Sequence, residues 1–252
     1  MTIEVRPAGG RFATREGGRT TYHSFSFGTH YDPGNVGFGA LVAHNDEQLP
    51  PGTGYPDHPH RDVEIVTVVV EGALRHTDSA GRRGVLAPGE ISRTSAGAGI
   101  VHAELADEAV PTRFVQTWLR PDESGGAPSY AAARVDTPEA LTEVVGPDGA
   151  ITVGTRGARL FLGGTTTGRL VLPDSPLLHV FAAEAALTVG DRELEPGDAA
   201  RLTDEGGRTL TVEQPGLLLV WALTRRVVGN GPTSRQKRPP EPAIPDHWAG
   251  RL

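Results

Sequence analysis

Short apolar or alternating segments, separated by turn-forming residues, recur along the whole chain. Gly, Pro, Asp and Asn interrupt them at short intervals. Segments of this length with turn signals between them are typical of antiparallel β-strands in a sandwich or barrel. The pattern therefore predicts an all-β protein, with the clearest strands at residues 36–42, 64–70, 73–76, 84–87, 113–119, 150–153, 169–172, 178–182, 186–189 and 217–223.

One segment near the middle of the chain predicts a helix. Thr137 is a favourable N-cap, Pro138 suits the first helical position, and Glu139 places an acid in the first turn. These residues lead into 140–145, where a connector between two β domains would lie. We therefore expect little helix, confined to this connector.

A repeated turn pattern divides the chain into two similar halves. The segments EGAL (71–74) and LAPGE (86–90) reappear as EAAL (184–187) and LEPGD (194–198). Each pair is typical of a hairpin that returns through a Pro-Gly-acid turn. We predict a β domain over residues 1–136, a second over 137–225, and a surface extension over 226–252, which is rich in Pro and Arg and has no periodicity.

Two closely spaced pairs of possible metal ligands lie in the first half, His58 with His60 and His102 with Glu104. Residues i and i+2 of a strand point to the same face, so two neighbouring strands can direct all four side chains at one point. Three imidazoles and a carboxylate suit Fe, Mn, Co, Ni, Cu or Zn and leave positions open for substrate. Glu64 is an even number of residues from His58 and His60, so on an extended strand it would point to the same face. It is therefore an alternative carboxylate ligand. We favour Glu104, with Glu64 behind the ligands or in a surface ion pair.

The second half retains the turns and lacks the ligands. When the halves are aligned on the repeated turns, the four positions are taken by Val171, Pro173, Leu210 and Val212. We therefore expect one divalent transition metal ion per chain, held by the first half.

The remaining histidines have no metal-ligand spacing. We expect His76, beside Asp78, to be exposed on the far side of a hairpin, and His179 to pack in the core of the second half. No Gly-x-Ser-x-Gly elbow and no P-loop occurs in the sequence, which removes two common alternatives for catalysis.

Composition narrows the function further. The 252 residues include no Cys, which excludes disulfides and thiol catalysis and leaves nitrogen and oxygen as metal ligands. A formal net charge of −7 argues against nucleic acid as the main partner. No apolar stretch is long enough to span a membrane, and the N-terminus has no apolar core of a signal peptide. We expect a cytoplasmic protein with no membrane partner.

The histidine motif lies within a longer stretch that resembles the pirin family. Three segments carry the resemblance: HSFSFGTHYDPGNVGFGAL (23–41), HPHRDVEIVTVVVEGALRHTDSAGRRGVLAPGEISRTSAGAGIVHAE (58–104) and QTWLRPDESGGAPSY (116–130). The resemblance implies a bicupin, in which two antiparallel β-barrel or jelly-roll domains pack together and the N-terminal cupin binds one metal ion, usually iron. It also implies His58, His60, His102 and Glu104 as the ligands, and so selects Glu104 over Glu64.

The resemblance implies an activity and an alternative to it. Several bacterial pirin-like proteins are quercetin 2,3-dioxygenases, which open a flavonol ring with O2 and release carbon monoxide. A small flavonol-like aromatic and O2 are then the expected partners, and Glu104 is the expected catalytic base. Eukaryotic pirins act instead as transcriptional cofactors. The alternative function is therefore a metal-dependent regulatory or redox-sensing module that binds a protein partner.

Overall fold

Antiparallel β-strands form nearly all the regular structure in the computed structural model, which describes residues 1–135 and 140–225. Within these residues there is no α-helix, only a 3-10 turn at Ala8–Gly10, and hence no helix that could cross a membrane. The first twelve strands are β1 (Thr2–Arg6), β2 (Phe12–Glu16), β3 (Arg19–His23), β4 (Leu41–Leu49), β5 (Gly54–His60), β6 (Glu64–Glu71), β7 (Leu74–Asp78), β8 (Arg83–Leu86), β9 (Glu90–Ser95), β10 (Ile100–Ala106), β11 (Thr112–Leu119) and β12 (Ser129–Arg134). The others are β13 (Thr142–Val145), β14 (Arg159–Gly163), β15 (Gly168–Val171), β16 (Leu177–Ala182), β17 (Ala186–Val189), β18 (Arg192–Leu194), β19 (Ala199–Thr203), β20 (Thr209–Gln214) and β21 (Leu218–Leu223).

The strands form four sheets, arranged as two similar pairs. The first pair has a seven-stranded sheet, β12-β9-β6-β11-β4-β3-β2, and a four-stranded sheet, β5-β10-β7-β8. The second pair has a six-stranded sheet, β1-β19-β16-β21-β14-β13, and a four-stranded sheet, β15-β20-β17-β18. Adding ten to the labels β3–β11 gives the strand order of the second pair. The internal repeat read from the turns is thus a repeat of the whole strand order, and the all-β prediction is confirmed.

Strand β1 departs from the expected division of the chain at residue 136. It pairs with β19, from Thr2 opposite Thr203 to Arg6 opposite Ala199, and so belongs to the second pair of sheets. Strand β12 holds the equivalent edge beside β9 in the first pair. The first strand therefore ties the N-terminus to the second half, and the division of the remainder at 136 stays a prediction.

Four apolar clusters pack between the sheets of the described residues; the smallest contains Ile65 and Ile100, and the other three are larger layers. One lies inside the first sandwich, around Leu74 and Phe114, and one inside the second, around Val180. The third joins the two large sheets and includes Val115 and Trp221. Because successive residues of a strand point to opposite faces, β11 sends Phe114 into its own sandwich and Val115 into the layer between the halves. Strands buried on both faces explain the nearly continuous apolar runs.

Two predicted strands and the predicted helix differ from the structure. Residues 36–40 form a turn and β4 begins at Leu41, because Gly39 adopts a positive φ of 60° and Phe38 pairs back with Leu41. Residues 150–153 contribute only an isolated bridge at Ile151. The predicted helix at 140–145 is wrong, since Thr142–Val145 is a strand that pairs with β14. Tertiary pairing outweighs the capping signal there. The cap residues at 137–139 and the extension at 226–252 lie outside the described residues.

Gly72, in the turn between β6 and β7, lies where the backbone leaves no space for a side chain. It has a φ of +77°, and a Cβ there would meet the carbonyl oxygen of Pro111. Gly81, between β7 and β8, has a φ of +84° with open space around it. We expect Gly81→Ala to lower the free energy of unfolding by about 1–2 kcal/mol, the cost of the left-handed backbone alone. Gly72→Ala should cost about 1–3 kcal/mol more, because the backbone must shift.

Urea unfolding of both variants measures the two free energies, and Gly81→Ala is the control for backbone conformation. Equal losses of stability in the two variants would contradict this account of Gly72.

Candidate metal centre

The three predicted histidine ligands come together on two adjacent strands of the first small sheet. His58 and His60 lie on β5, and His102 lies on β10 directly opposite His58. The ring centroids of His58 and His102 are 4.5 Å apart, and each lies 4.8 Å from that of His60. One nitrogen from each ring lies within 4.8 Å of the others. The i, i+2 spacing and the strand pairing thus place three imidazoles around one point.

Hydrogen bonding and burial set the protonation of these rings. The Nδ1 of His58 donates to the carbonyl oxygen of Pro56 at 2.8 Å. Burial, followed by the neighbouring imidazoles, lowers the pKa of His60 and of His102 to about 3. The rings of His60 and His102 are therefore neutral at pH 7, the form that binds a metal ion.

Several ring nitrogens in the cluster have no hydrogen-bond partner within residues 1–135 and 140–225. The Nε2 of His60 and both nitrogens of His102 are buried without a hydrogen bond. A buried polar atom left unsatisfied costs roughly 1–3 kcal/mol. A divalent transition metal would accept the lone pairs, so the residues present fit the group that the family resemblance implies.

Glu104, the predicted fourth ligand, is buried beside His102 on the same strand. The register of β10 against β5 shifts between His102 and Glu104, so Glu104 lies opposite Tyr55. Its Oε2 accepts a hydrogen bond of 2.8 Å from Nε2 of Gln116, whose Oε1 accepts from Nε1 of Trp118 at 2.9 Å. The carboxylate is thus oriented by an amide on β11. Sequence reasoning missed Gln116 and Trp118, although both are on one face of a predicted strand.

The alternative carboxylate, Glu64, lies elsewhere. It starts β6 and shares a face with Val66 and Val68, which pack between the two large sheets. Its Oε2 accepts a hydrogen bond of 2.7 Å from Oγ of Ser95. Glu64 does not share a sheet face with the histidines, because Asp62, with a φ of 52°, turns the chain from the small sheet into the large one.

His76 is buried, and its predicted exposure is wrong. Only 2% of it is accessible, on β7, which flanks β10 on the side away from β5. Its ring stacks on Tyr130 at 4.5 Å and lies 5.4 Å from that of His102. One nitrogen each from His76 and His102 and one oxygen of Glu104 lie within 4.8 Å of one another. The position of β7 beside β10 could not be read from the sequence. The packed core position expected for His179 is confirmed, with no accessible surface.

Aromatic rings border the cluster where it approaches the surface. His58 and His60 are partly exposed, whereas His102 and Glu104 are buried. The ring of Trp118 meets that of His60 edge-on at 4.9 Å, and Phe27 meets Trp118 at 5.3 Å. The partly exposed imidazoles therefore lie next to two aromatic rings that pack edge to face.

Fold and site together define a bicupin with a histidine-rich candidate metal centre in its first half. Residues 6–119 match the family model for Pirin. A Mycobacterium tuberculosis protein named "Putative quercetin 2,3-dioxygenase" is 44% identical over 236 residues, covering 88% of this chain and 95% of that protein. A pirin-like protein of Caulobacter vibrioides is 37% identical over 210 residues, covering 79% of this chain and 90% of that protein. The chain belongs to the pirin family.

A solved structure of the same architecture carries a metal. The crystal structure of the bacterial pirin YhhW from Escherichia coli in complex with nickel(II) matches with a TM-score of 0.82 at 27% sequence identity, covering 89% of this chain and all of that one (100%). The likeness extends over both halves of the fold, so the bicupin expected from the sequence is confirmed.

A second buried carboxyl, Glu47 on β4, lies inside the first sandwich. Its Oε2 accepts hydrogen bonds of 2.6 Å from the hydroxyls of Thr21 and Tyr55. Burial raises the pKa of Glu47 to about 7 even against these two donors, and the charge of Glu104 adds to the effect. Glu47 is therefore a titrating group in the neutral range, close to the candidate centre.

Glu47 should make stability depend on pH. Its pKa of about 7 in the folded chain exceeds the ordinary 4.5, so its contribution is full below pH 4.5 and is lost as pH rises through 7. Between pH 5 and 8 the wild type should lose about 2–3 kcal/mol relative to Glu47→Gln. Urea unfolding of the two metal-free proteins over this range gives the difference. Histidines buried as neutral rings act in the opposite direction but are common to both proteins. A pH-independent difference would show that Glu47 does not titrate in this range.

Proposed function

We propose that this chain is a metal-dependent dioxygenase that cleaves quercetin or a related flavonol with O2, using a metal ion held by His58, His60, His102 and Glu104. The observation that carries the proposal is the cluster of three imidazoles, buried on the His102 side and partly exposed at His58 and His60. The name of the Mycobacterium tuberculosis relative and the nickel(II) complex of YhhW support it. Iron is our first choice of metal, from the family resemblance.

The chain's own residues support this chemistry. A divalent metal would supply a Lewis acid that lowers the pKa of the flavonol 3-hydroxyl. Glu104 then accepts the hydroxyl proton, while the amide of Gln116, 2.8 Å from its Oε2, holds the carboxylate in place. Trp118 and Phe27 offer ring faces and edges against which a planar flavonol can pack.

Turnover of quercetin by metal-loaded protein tests the proposal directly. We expect O2 uptake with release of carbon monoxide by the wild type loaded with Fe(II). His60→Ala should lose both the metal and at least 100-fold in rate, because two imidazoles remain. His179→Phe, which removes a buried histidine of the second half, is the matched control and should keep both. The proposed dioxygenase activity is contradicted if the metal-loaded wild type consumes no O2 in an assay where a known quercetin dioxygenase does. A regulatory, protein-binding role then becomes the better account.

Gln116 should matter for metal affinity because it orients Glu104. We expect Gln116→Leu to weaken Co²⁺ binding by about 10–100-fold, the usual effect of removing a hydrogen-bond partner of a ligand. Thr67→Val is the control for the other hydrogen bond of this amide, since Nε2 of Gln116 donates to Thr67 Oγ1 at 3.3 Å and no hydrogen bond joins Thr67 to Glu104 in the described structure. Competition with a chromophoric chelator measures both affinities, and an unchanged affinity in Gln116→Leu argues against Glu104 as a ligand.

A further inference from the structure

We propose that His76, His102 and Glu104 form a second cation position next to the first, sharing two side chains with it. This proposal extends the metal centre of the proposed function but does not require the dioxygenase activity. The three side chains have one ligand atom each within 4.8 Å of the others, and all three are buried.

Strand pairing on the far side of β10 creates this position. Strand β10 is central in the small sheet, with β5 on one side and β7 on the other. His76 of β7 lies directly opposite Glu104, and Asp78 directly opposite His102. Side chains at directly opposed positions of an antiparallel pair are neighbours on the same face of the sheet. His102 and Glu104 of β10 can therefore contribute both to a cation position on the β5 side and to one on the β7 side.

The unpartnered nitrogens of His102 are the clearest sign of a shared ligand. Both its Nδ1 and its Nε2 are buried without a hydrogen bond to any described residue. A neutral imidazole has a lone pair on one nitrogen and a proton on the other, and each nitrogen normally has a partner of its own. An ion at the first position uses the lone pair, so His102 binds a second ion at the same time only as an imidazolate, after its N–H proton has passed to solvent. The Nε2 of His76 is also buried, and it faces the carboxylate of Asp78 at 3.5 Å.

The local charge favours a cation. The Oδ2 of Asp78 lies 3.5 Å from Nε2 of His76, and the Asp78 side chain is fully buried. Backbone amides of Ala80 and Arg82 hold the Asp78 carboxylate at 2.9 and 3.1 Å. The Arg82 guanidinium lies 3.5 Å from Asp78. The two carboxylates, Glu104 and Asp78, outnumber this one guanidinium, and the surplus negative charge favours a divalent cation.

Cobalt binding by a variant that lacks the first metal position tests the proposal. The double variant His58→Ala/His60→Ala removes two of the first position's imidazoles and leaves His76, His102 and Glu104 intact. We expect the metal-free double variant to bind one Co²⁺ per chain, at least tenfold more weakly than the wild type. Adding His76→Phe should weaken that binding by a further factor of at least 30, because the ring keeps its stacking on Tyr130 but loses its nitrogens. Elemental analysis gives the stoichiometry, and the visible absorption of Co²⁺ titrations gives the affinity.

His179→Phe in the same double variant is the matched control and should leave cobalt binding unchanged. The proposal is overturned if the double variant binds no Co²⁺, or if His76→Phe leaves its affinity unaltered. Circular dichroism and urea unfolding check the fold of each variant. Should His76→Phe fail to fold, His76→Gln, which keeps a polar side chain, replaces it with the same expected loss. Quercetin turnover by the wild type is measured separately. A lack of turnover would contradict the proposed dioxygenase activity but not the second cation position.

Discussion

The antiparallel pairing of β5 with β10 is the constraint on which the candidate site depends. It sets His102 opposite His58 and then shifts register, so that Glu104 meets Tyr55. The extra residue of this bulge lies on β5, which advances three positions from His58 to Tyr55 while β10 advances two. On its other side β10 pairs with β7 without a shift, which sets Glu104 opposite His76 and places one ligand atom each of Glu104, His76 and His102 close together. Bulges are common next to functional sites.

The second half of the chain shows that the ligands are not needed to close the fold. Strand β20 occupies the place of β10, and it fills the aligned positions with Leu210 and Val212, both almost fully buried in an apolar core. The same strand order therefore folds around hydrophobic side chains. In the first half, the position of Leu210 is taken by His102, whose imidazole contributes less apolar burial and whose pKa is lowered to about 3. Sites that depart from the rules of packing in this way are where function is expected.

Much of the architecture could be predicted from local pattern. The alternation of apolar residues located most of the clearest strands, and the Pro-Gly-acid turns revealed the duplication. The errors share one cause: contacts with residues distant along the chain outweighed the local sequence signal. The capped segment at 140–145 became a strand because β14 offers it hydrogen bonds, and Gly39 turned an apparent strand into a turn. His76 was misplaced because alternation says which face a side chain occupies but not which strand lies next to it.

The sequence by itself determined the kind of site: three histidines and a glutamate at i, i+2 spacing, present in one half of a repeat. That spacing is a property of a single extended strand and needs no knowledge of the fold. Only the tertiary structure decided the surroundings. It turned Glu64 towards Ser95, brought Gln116 to Glu104, and set His76 opposite Glu104. Those contacts join strands that are distant along the chain, and strand order in a sheet arises from the packing of the whole core.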